Sequence, residues 1–315
     1  MQLLLLPWII DMLKSCSFVF LLAVIMSVVG CGASTSSAVD DLKIIQKQTG
    51  IESITGLLIE YYDEGNTGLR LTTVVDGKQL TYSVDQDHNA TESSGYDVYG
   101  PQIQLSAIDV SALTERVVSA ASADCELPRL ILNTTPGGEQ MIAMDCYTAE
   151  RSQPIYRKGS ATLGGVSVPD SFDVSDPAQL SEARQYYEKF FGTDRISRLE
   201  VGVETTNIKI AGVQATDFSG APCELHSEET VKSGPPYFAE CLVAEEVSPS
   251  FSLADYSPDE IAGVWQTLVN RGAQREEILG VDFYLGSDGH LSWSAGLSNP
   301  FAMEQSLTQG DIQPL

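Results

Sequence analysis

Four cysteines in the body of the chain limit most strongly what it can fold into: Cys125, Cys146, Cys223 and Cys241. The midpoint of the first two falls within residues 134–138, and that of the last two lies beside residues 233–236. Both stretches are rich in Gly and Pro, which predicts that the chain turns back halfway between the cysteines of each pair. The two cysteines then face each other across a β-hairpin, within disulfide reach. The spacing therefore predicts the disulfides Cys125–Cys146 and Cys223–Cys241.

A metal site is the competing interpretation of these cysteines. Structural zinc sites space their cysteines as Cys-x-x-Cys or place histidines nearby, and neither pattern surrounds these four. An even number of cysteines is typical of domains that fold in an oxidising compartment. The cysteines thus favour an exported protein with disulfides.

An apolar run over residues 18–29 ends in Val28-Val29-Gly30-Cys31, and Lys14 precedes it, as in a secretory signal. Aliphatic residues followed by a small residue and a cysteine resemble the lipobox of bacterial lipoproteins. The resemblance implies cleavage after Gly30 and a diacylglycerol on Cys31, with fatty acids such as palmitate. It also implies a lipid-anchored protein on the extracytoplasmic face of a bacterial membrane.

Residues 1–30 are therefore expected to be a signal peptide, with translation starting at Met12 because the residues before it carry no positive charge. Residues 31–37 are small and polar, which predicts a flexible tether. A plain signal peptide with a coincidental Cys31 is one alternative, and an uncleaved transmembrane helix is another. Residues 17–30 are shorter than the roughly 20 apolar residues that cross a bilayer, which disfavours the helix.

Apolar periodicity and end signals predict four helices and several strands. Asp176-Pro177 and Ser257-Pro258 are helix starts with a capping residue before proline, while Gly50 and Gly192 end helices. The helices are predicted over residues 38–48, 110–121, 176–191 and 257–269. The strands are predicted over residues 54–62, 69–75, 80–84, 196–203, 208–215, 278–285 and 291–295, with a loop over 85–100.

Residues 151–175 contain several Pro and Gly residues, which predicts a linker between two lobes. The N-terminal lobe is expected over residues 38–150 and the C-terminal lobe over residues 176–297. Residues 298–315 are polar and are expected to form a loose tail.

The two cysteine segments begin alike, with Cys125-Glu126-Leu127 and Cys223-Glu224-Leu225. The sequence therefore predicts an α+β fold of duplicated helix plus antiparallel β-hairpin units, in two lobes with two hairpin disulfides. Chance similarity of short cysteine motifs is the alternative. In layout alone the units resemble the small PepSY-type modules of exported bacterial proteins, a resemblance that assigns no role to any residue.

Catalytic motifs are absent from the sequence. The only histidines are His88, His226 and His290, which lie in a polar loop, an acidic stretch and a position after a hairpin turn. The sequence contains no Gly-x-Ser-x-Gly elbow, P-loop or His-Glu-x-x-His motif. It therefore predicts a protein that is not an enzyme and that has no cofactor.

One loop has the opening of a calcium site, with Asp85, Asp87 and Asn89 on alternate residues. An EF-hand then needs Gly and Glu where this chain has Ala90 and Tyr96. An ordinary polar turn is the favoured interpretation, and a looser calcium site is the alternative.

The net charge is −25, from 43 acidic and 18 basic residues. Such a surface repels nucleic acid and anionic headgroups, so neither is expected as a partner. We expect an extracytoplasmic, membrane-tethered lipoprotein that acts as a non-enzymatic binding or accessory module for an envelope protein or a small ligand. The alternatives are a lipid or small-ligand carrier and an envelope hydrolase that uses carboxylates.

Overall fold

The computed structural model describes the chain from Ser37 to Pro314, except residues 95–98, 148–154, 171, 173–174, 203–207, 212, 217–219, 229–237, 244–248, 300–303 and 305–306. The predicted signal peptide and Cys31 lie outside the described residues.

Among the described residues, four α-helices occur where the end signals predict them: α1 Ala38–Thr49, α2 Val110–Ala120, α3 Pro177–Phe191 and α4 Pro258–Asn270. Side chains of Ser37 and Asp176 cap α1 and α3 by accepting hydrogen bonds from backbone N–H groups of the first turn. Gly50 and Gly192 end the same helices in the left-handed conformation, each with φ of 72°.

The largest sheet has nine antiparallel strands. Its members are β2 Gly56–Tyr61, β3 Thr67–Val75, β4 Lys78–Val84, β5 Ala90–Ser94, β7 Leu127–Thr134, β8 Gln140–Tyr147, β9 Ile155–Tyr156, β10 Thr162–Leu163 and β11 Val166–Ser167. The order is β11-β10-β8-β7-β2-β3-β4-β5, and β9 pairs with β8. A separate short pair joins β1 Ser53–Ile54 to β6 Ile103–Gln104. Helices α1 and α2 pack against the nine-stranded sheet.

The remaining strands form three further sheets. They are β12 Arg195–Ile196, β13 Arg198–Gly202, β14 Ile208–Ala211, β15 Val213–Thr216, β16 Pro222–Glu228, β17 Phe238–Val243, β18 Phe251–Ser252, β19 Ile278–Leu285, β20 Leu291–Leu297 and β21 Gln309–Ile312. One sheet has the order β14-β13-β19-β20-β21, a second has β15-β16-β17, and β12 pairs with β18.

Helices and antiparallel sheets thus make an α+β fold, as predicted. The order of elements is alike in the half that contains α1 and α2 and in the half that contains α3 and α4. In each half, the first and last strands between the two helices pair with each other, β1 with β6 and β12 with β18. The strand after the second helix of each half pairs with a strand that follows its first helix, β7 with β2 and β19 with β13.

Two clusters of buried apolar side chains form the core. The first comprises residues between Ala38 and Met144, and the second comprises residues between Met141 and Ile312. Strand β8 supplies both clusters, because Met144 belongs to the first and Met141 and Ala143 belong to the second. From Ser37 onward the chain forms one compact unit.

The structure corrects the expected linker over residues 151–175. Short strands β9 and β10 pair with β8 within it, and Tyr156, Ala161 and Leu163 are buried in the second cluster. Apolar residues between the glycines explain the difference, since Gly159, Gly164 and Gly165 adopt positive φ in tight turns between short strands.

Two other segments are more ordered than expected. The expected loose tail over residues 298–315 contains β21, which pairs with β20 and buries Ile312. The expected loop over residues 85–100 contains β5, which pairs with β4. Both strands are polar apart from a few residues, so apolar alternation did not reveal them.

Both predicted disulfides are confirmed, Cys125–Cys146 and Cys223–Cys241. Disulfides are typical of proteins that fold in an oxidising, extracytoplasmic environment. Within the part of the chain that the structure describes, no helix has the length and hydropathy needed to span a bilayer.

Candidate functional site

The predicted attachment site, Cys31, precedes the first described residue by six positions. The described part of this site is therefore the place where the chain joins the folded unit. There the Ser37 hydroxyl oxygen accepts a 3.2 Å hydrogen bond from the backbone N–H of Asp40. Ala38 donates its backbone N–H to the Thr67 hydroxyl at 3.0 Å. These bonds fix the start of α1 on the first residue of β3.

Charged residues of the first turn of α1 reinforce this junction. The buried Asp41 carboxylate accepts a 3.0 Å hydrogen bond from the backbone N–H of Leu69, also on β3. The exposed Asp40 pairs with Lys43 at 2.8 Å. The hydrogen bond from Lys43, followed by that from Ser37, holds the pKa of the Asp40 carboxyl below its ordinary value. Carboxylates here also interact favourably with the positive end of the helix dipole.

The turn between β2 and β3 lies beside the same end of β3. Tyr62 donates its backbone N–H to the Asn66 carbonyl at 3.0 Å, and Asn66 donates its own to the Asp63 carbonyl at 2.7 Å. Asp63 and Glu64 are exposed at the tip. The Tyr62 ring covers Gly68, where an added Cβ would lie 2.7 Å from the tyrosine oxygen. The junction is thus bordered by an acidic turn with one half-exposed aromatic ring.

The two disulfides lie elsewhere, and their geometry differs in one respect from the prediction. Residue Cys146 lies opposite Pro128 rather than Cys125, and Cys223 lies opposite Val243 rather than Cys241. The Cys223–Cys241 bridge is therefore diagonal across β16 and β17, with a Cα–Cα distance of 5.5 Å. Cys125 lies two residues before β7, and its Cα is 5.1 Å from that of Cys146 on β8. Diagonal neighbours in a sheet come within disulfide reach when the strands twist.

The weak calcium candidates lie in the turn between β4 and β5. One oxygen of the Asp85 carboxylate accepts backbone hydrogen bonds from Asp87 at 3.0 Å and from Asn89 at 2.8 Å. This is the hydrogen bonding of an Asx-type turn. Among the described residues, no group of three or more acidic, His or Cys side chains is close enough to hold a metal ion.

The histidines lie on separate elements. The first, His88, occupies the β4–β5 turn with φ of 59°, and its carbonyl accepts a 3.2 Å hydrogen bond from the Gln48 side chain. In β16, His226 pairs with Glu240 of β17 through the strand backbone. The third, His290, follows the β19–β20 turn. The three histidines thus belong to three different segments of the chain.

Sequence reasoning missed a charged network that crosses four strands of the large sheet. Asp145 accepts two hydrogen bonds from the Arg129 guanidinium, at 2.7 and 2.6 Å. Glu60 lies 3.9 Å from Arg129 and 3.0 Å from Arg70, and the Arg129 guanidinium stacks 4.4 Å above the Tyr147 ring. The only signal in the sequence is one charged residue within each otherwise uncharged strand.

This network is deeply placed. The Asp145 side chain is 1% exposed and that of Arg129 is 19% exposed. Burial opposes the charge of Arg129, but the hydrogen bond and the charge of Asp145 outweigh it and raise the pKa of the guanidinium. A pair that satisfies itself in this way ties strands together and offers little to a ligand.

A small apolar pocket lies between α3 and α4. Leu180, Tyr187, Leu253 and Ile261 line it, and Arg184 at its edge donates a 3.2 Å hydrogen bond to the Leu253 carbonyl. Its volume is about 10 Å³. That is room for about one water molecule, so an acyl chain does not fit.

Comparison with known proteins assigns no family. No protein-family model matches the chain, and no curated protein matches it. Solved structures have only weak similarity to the chain, and three of them illustrate this. One is the PCNA2–PCNA3 complex from Sulfolobus tokodaii, at 12% identity, with a TM-score of 0.17 over 89% of this chain and 97% of that chain.

The second is PF-8, the DNA polymerase accessory subunit from Kaposi's sarcoma-associated herpesvirus, at 11% identity, with a TM-score of 0.17 over 88% of this chain and 96% of that chain. The third is Proliferating Cellular Nuclear Antigen from Entamoeba histolytica, at 10% identity, with a TM-score of 0.13 over 88% and 95%. Similarity at this level assigns neither a fold family nor a function to the chain.

Proposed function

We propose that this protein is an extracytoplasmic lipoprotein, anchored to a bacterial membrane through acylated Cys31. The lipobox-like Val28-Val29-Gly30-Cys31 at the end of an apolar run carries the proposal. The two disulfides support it, because they are typical of a protein exported to an oxidising compartment. The acidic composition also supports it, because a surface with this net charge is not attracted to anionic headgroups and would need a lipid to stay at the membrane.

Cys31→Ser should abolish both fatty-acid labelling and recovery in the membrane fraction, because the thiol that carries the lipid is gone. Labelling of producing cells with an alkyne analogue of palmitate, followed by fractionation, measures both. Cys16→Ser is the matched control: it removes the other N-terminal cysteine and should leave labelling unchanged. Equal labelling of wild type and Cys31→Ser would refute the proposal.

We infer a binding or accessory role for the folded unit rather than an enzymatic one. The position of His88, His226 and His290 on three different segments supports this, as does the use of one Asp85 carboxylate oxygen within its own turn. The size of the α3–α4 pocket disfavours it as the cavity of a lipid carrier. An envelope protein or a small ligand is the partner that we propose, reached while the unit stays tethered.

We further propose that the two halves arose as duplicated units. The like order of helices and strand pairs in the two halves supports this. The cysteine motifs do not, because Cys125–Cys146 joins the segment just before β7 to β8, after the second helix of its half, while Cys223–Cys241 joins β16 to β17, before the second helix of its half. Alignment of relatives half against half tests the proposal, and similarity no greater than that of shuffled sequences would contradict it.

A further inference from the structure

The distance between the lipid and the folded unit is limited by the chain that joins them. Five residues separate Cys31 from Ser37. A polypeptide extends by at most about 3.6 Å per residue, so Ser37 stays within about 20 Å of an acylated Cys31. Strand β3 alone has nine residues and is therefore about 26 Å long. The tether is thus shorter than one strand of the unit that it holds.

The attachment point lies at one defined end of that strand. Ala38 is hydrogen-bonded to Thr67, the first residue of β3, and the Tyr62–Asn66 turn connects to the same end. The β3–β4 turn, followed by the exposed Lys78, lies at the other end of β3. The length of β3 therefore separates a near end from a far end. We call the surface of Ser37, Asp40, Asp63 and Glu64 the junction surface.

The junction surface is acidic. Asp40, Asp63 and Glu64 are exposed on it, and Lys43 is paired with Asp40. Anionic headgroups repel such a surface over about one Debye length, which is about 10 Å at 0.1 M salt. Since the tether reaches about 20 Å, this repulsion can hold the junction surface off the headgroups without opposing the anchor.

We propose that the junction surface faces the bilayer, with the β3–β4 turn pointing away, and that its acidic residues keep it from settling on anionic lipid. This inference rests on the proposed acylation of Cys31. It adds an orientation that places the rest of the molecule toward partners in the envelope.

Single fluorophores at Glu64→Cys and Lys78→Cys test the orientation. The introduced thiol is the free one to label, because the body cysteines are bridged and Cys31 carries the lipid. Glu64 already has a side chain at its φ of 48°, so cysteine adds no new backbone demand. On phosphatidylcholine vesicles with an acceptor on the headgroups, energy transfer should be higher from position 64, nearer by up to about 26 Å. Equal transfer, or higher transfer from position 78, would overturn the orientation.

Lipid charge tests the second part. Transfer from position 64 should fall when the vesicles also contain phosphatidylglycerol, and it should recover at 1 M salt, where the Debye length is about 3 Å. Transfer that ignores both lipid charge and salt would overturn the proposed repulsion. Failure of the anchor is seen separately, since a protein without lipid does not float with vesicles, as measured beside the same labelled variants carrying Cys31→Ser.

Discussion

Arg129 holds the buried Asp145 carboxylate by two parallel hydrogen bonds in the middle of the largest sheet. The pair joins β7 to β8, and Glu60 and Arg70 extend it across β2 and β3. A buried carboxylate depends on its partner, because loss of the partner leaves an uncompensated charge away from water. Arg129 therefore contributes to stability by satisfying the buried Asp145 carboxylate.

Arg129→Met should lower the free energy of unfolding by about 3–5 kcal/mol, since it strands the Asp145 carboxylate while keeping the apolar stem. Arg198→Met is the matched control, because its partner Asp282 and Arg198 itself are 28% and 50% exposed, and such a pair is worth about 0–1 kcal/mol. Urea denaturation measures both. Similar small losses in the two variants would contradict the buried role of Arg129.

Tyr156 carries a pH dependence. Burial, followed by the 2.9 Å hydrogen bond to Asp170, raises the pKa of Tyr156 to about 12. The unfolded chain releases this proton near pH 10 and the folded protein near pH 12, so stability is complete below pH 10 and falls between pH 10 and pH 12.

From pH 9 to pH 11, the free energy of unfolding should therefore fall by about 1.4 kcal/mol more in wild type than in Tyr156→Phe. This is the free energy of one pH unit of titration, the interval between pH 10 and pH 11. Tyr284→Phe removes an exposed hydroxyl and serves as the control. An identical fall in wild type and Tyr156→Phe would show that this phenol does not contribute.

Among the elements, the β7–β8 turn and the end of α3 make a close backbone contact. Gly137 donates its backbone N–H to the Phe190 carbonyl at 2.8 Å. A Cβ at Gly137 would lie 2.3 Å from the Lys189 carbonyl oxygen and 2.8 Å from the Gly192 nitrogen. The turn of a hairpin in the first half thus fits against a helix end in the second.

Gly137→Ala should destabilise the protein by about 1–3 kcal/mol, because backbone on both sides must move to admit a methyl group. Gly263→Ala should have the opposite sign, a gain of about 0.5–1 kcal/mol, since Gly263 lies within α4 with nothing within 4 Å of an added Cβ. Thermal unfolding of both variants measures the difference. A stabilising Gly137→Ala would contradict the contact.

Local signals explain how much of these elements could be predicted. Helix ends are set by nearby caps such as Ser37 and Gly192, and each disulfide pairing could be predicted from a Gly- and Pro-rich stretch about midway between its cysteines. Strand order and register depend on residues far apart in the chain, so the diagonal geometry of the Cys223–Cys241 disulfide and the place of β21 could not be predicted. The Arg129 network escaped for the same reason, since its charges come from four strands.

At the scale of the whole molecule, the core has two clusters that share β8. Val117, fully buried on α2, belongs to the first, whereas Trp265 and Trp293 belong to the second. We expect Val117→Ala to lower the urea midpoint reported by tryptophan fluorescence. When the first cluster unfolds, β8 is lost from the sheet, and the second cluster then loses the β8 side chains that it buries. A shift seen in far-ultraviolet circular dichroism but absent from the fluorescence would mean that the halves unfold independently.

The double use of β8 has a consequence for how this protein could be divided. Cutting the chain within residues 151–175, where glycines and prolines suggest a boundary, would expose apolar core residues in both fragments. Neither fragment could therefore be transferred to another protein as an independent domain without redesign of its exposed face. Strand β8 is therefore part of the core of both halves at once.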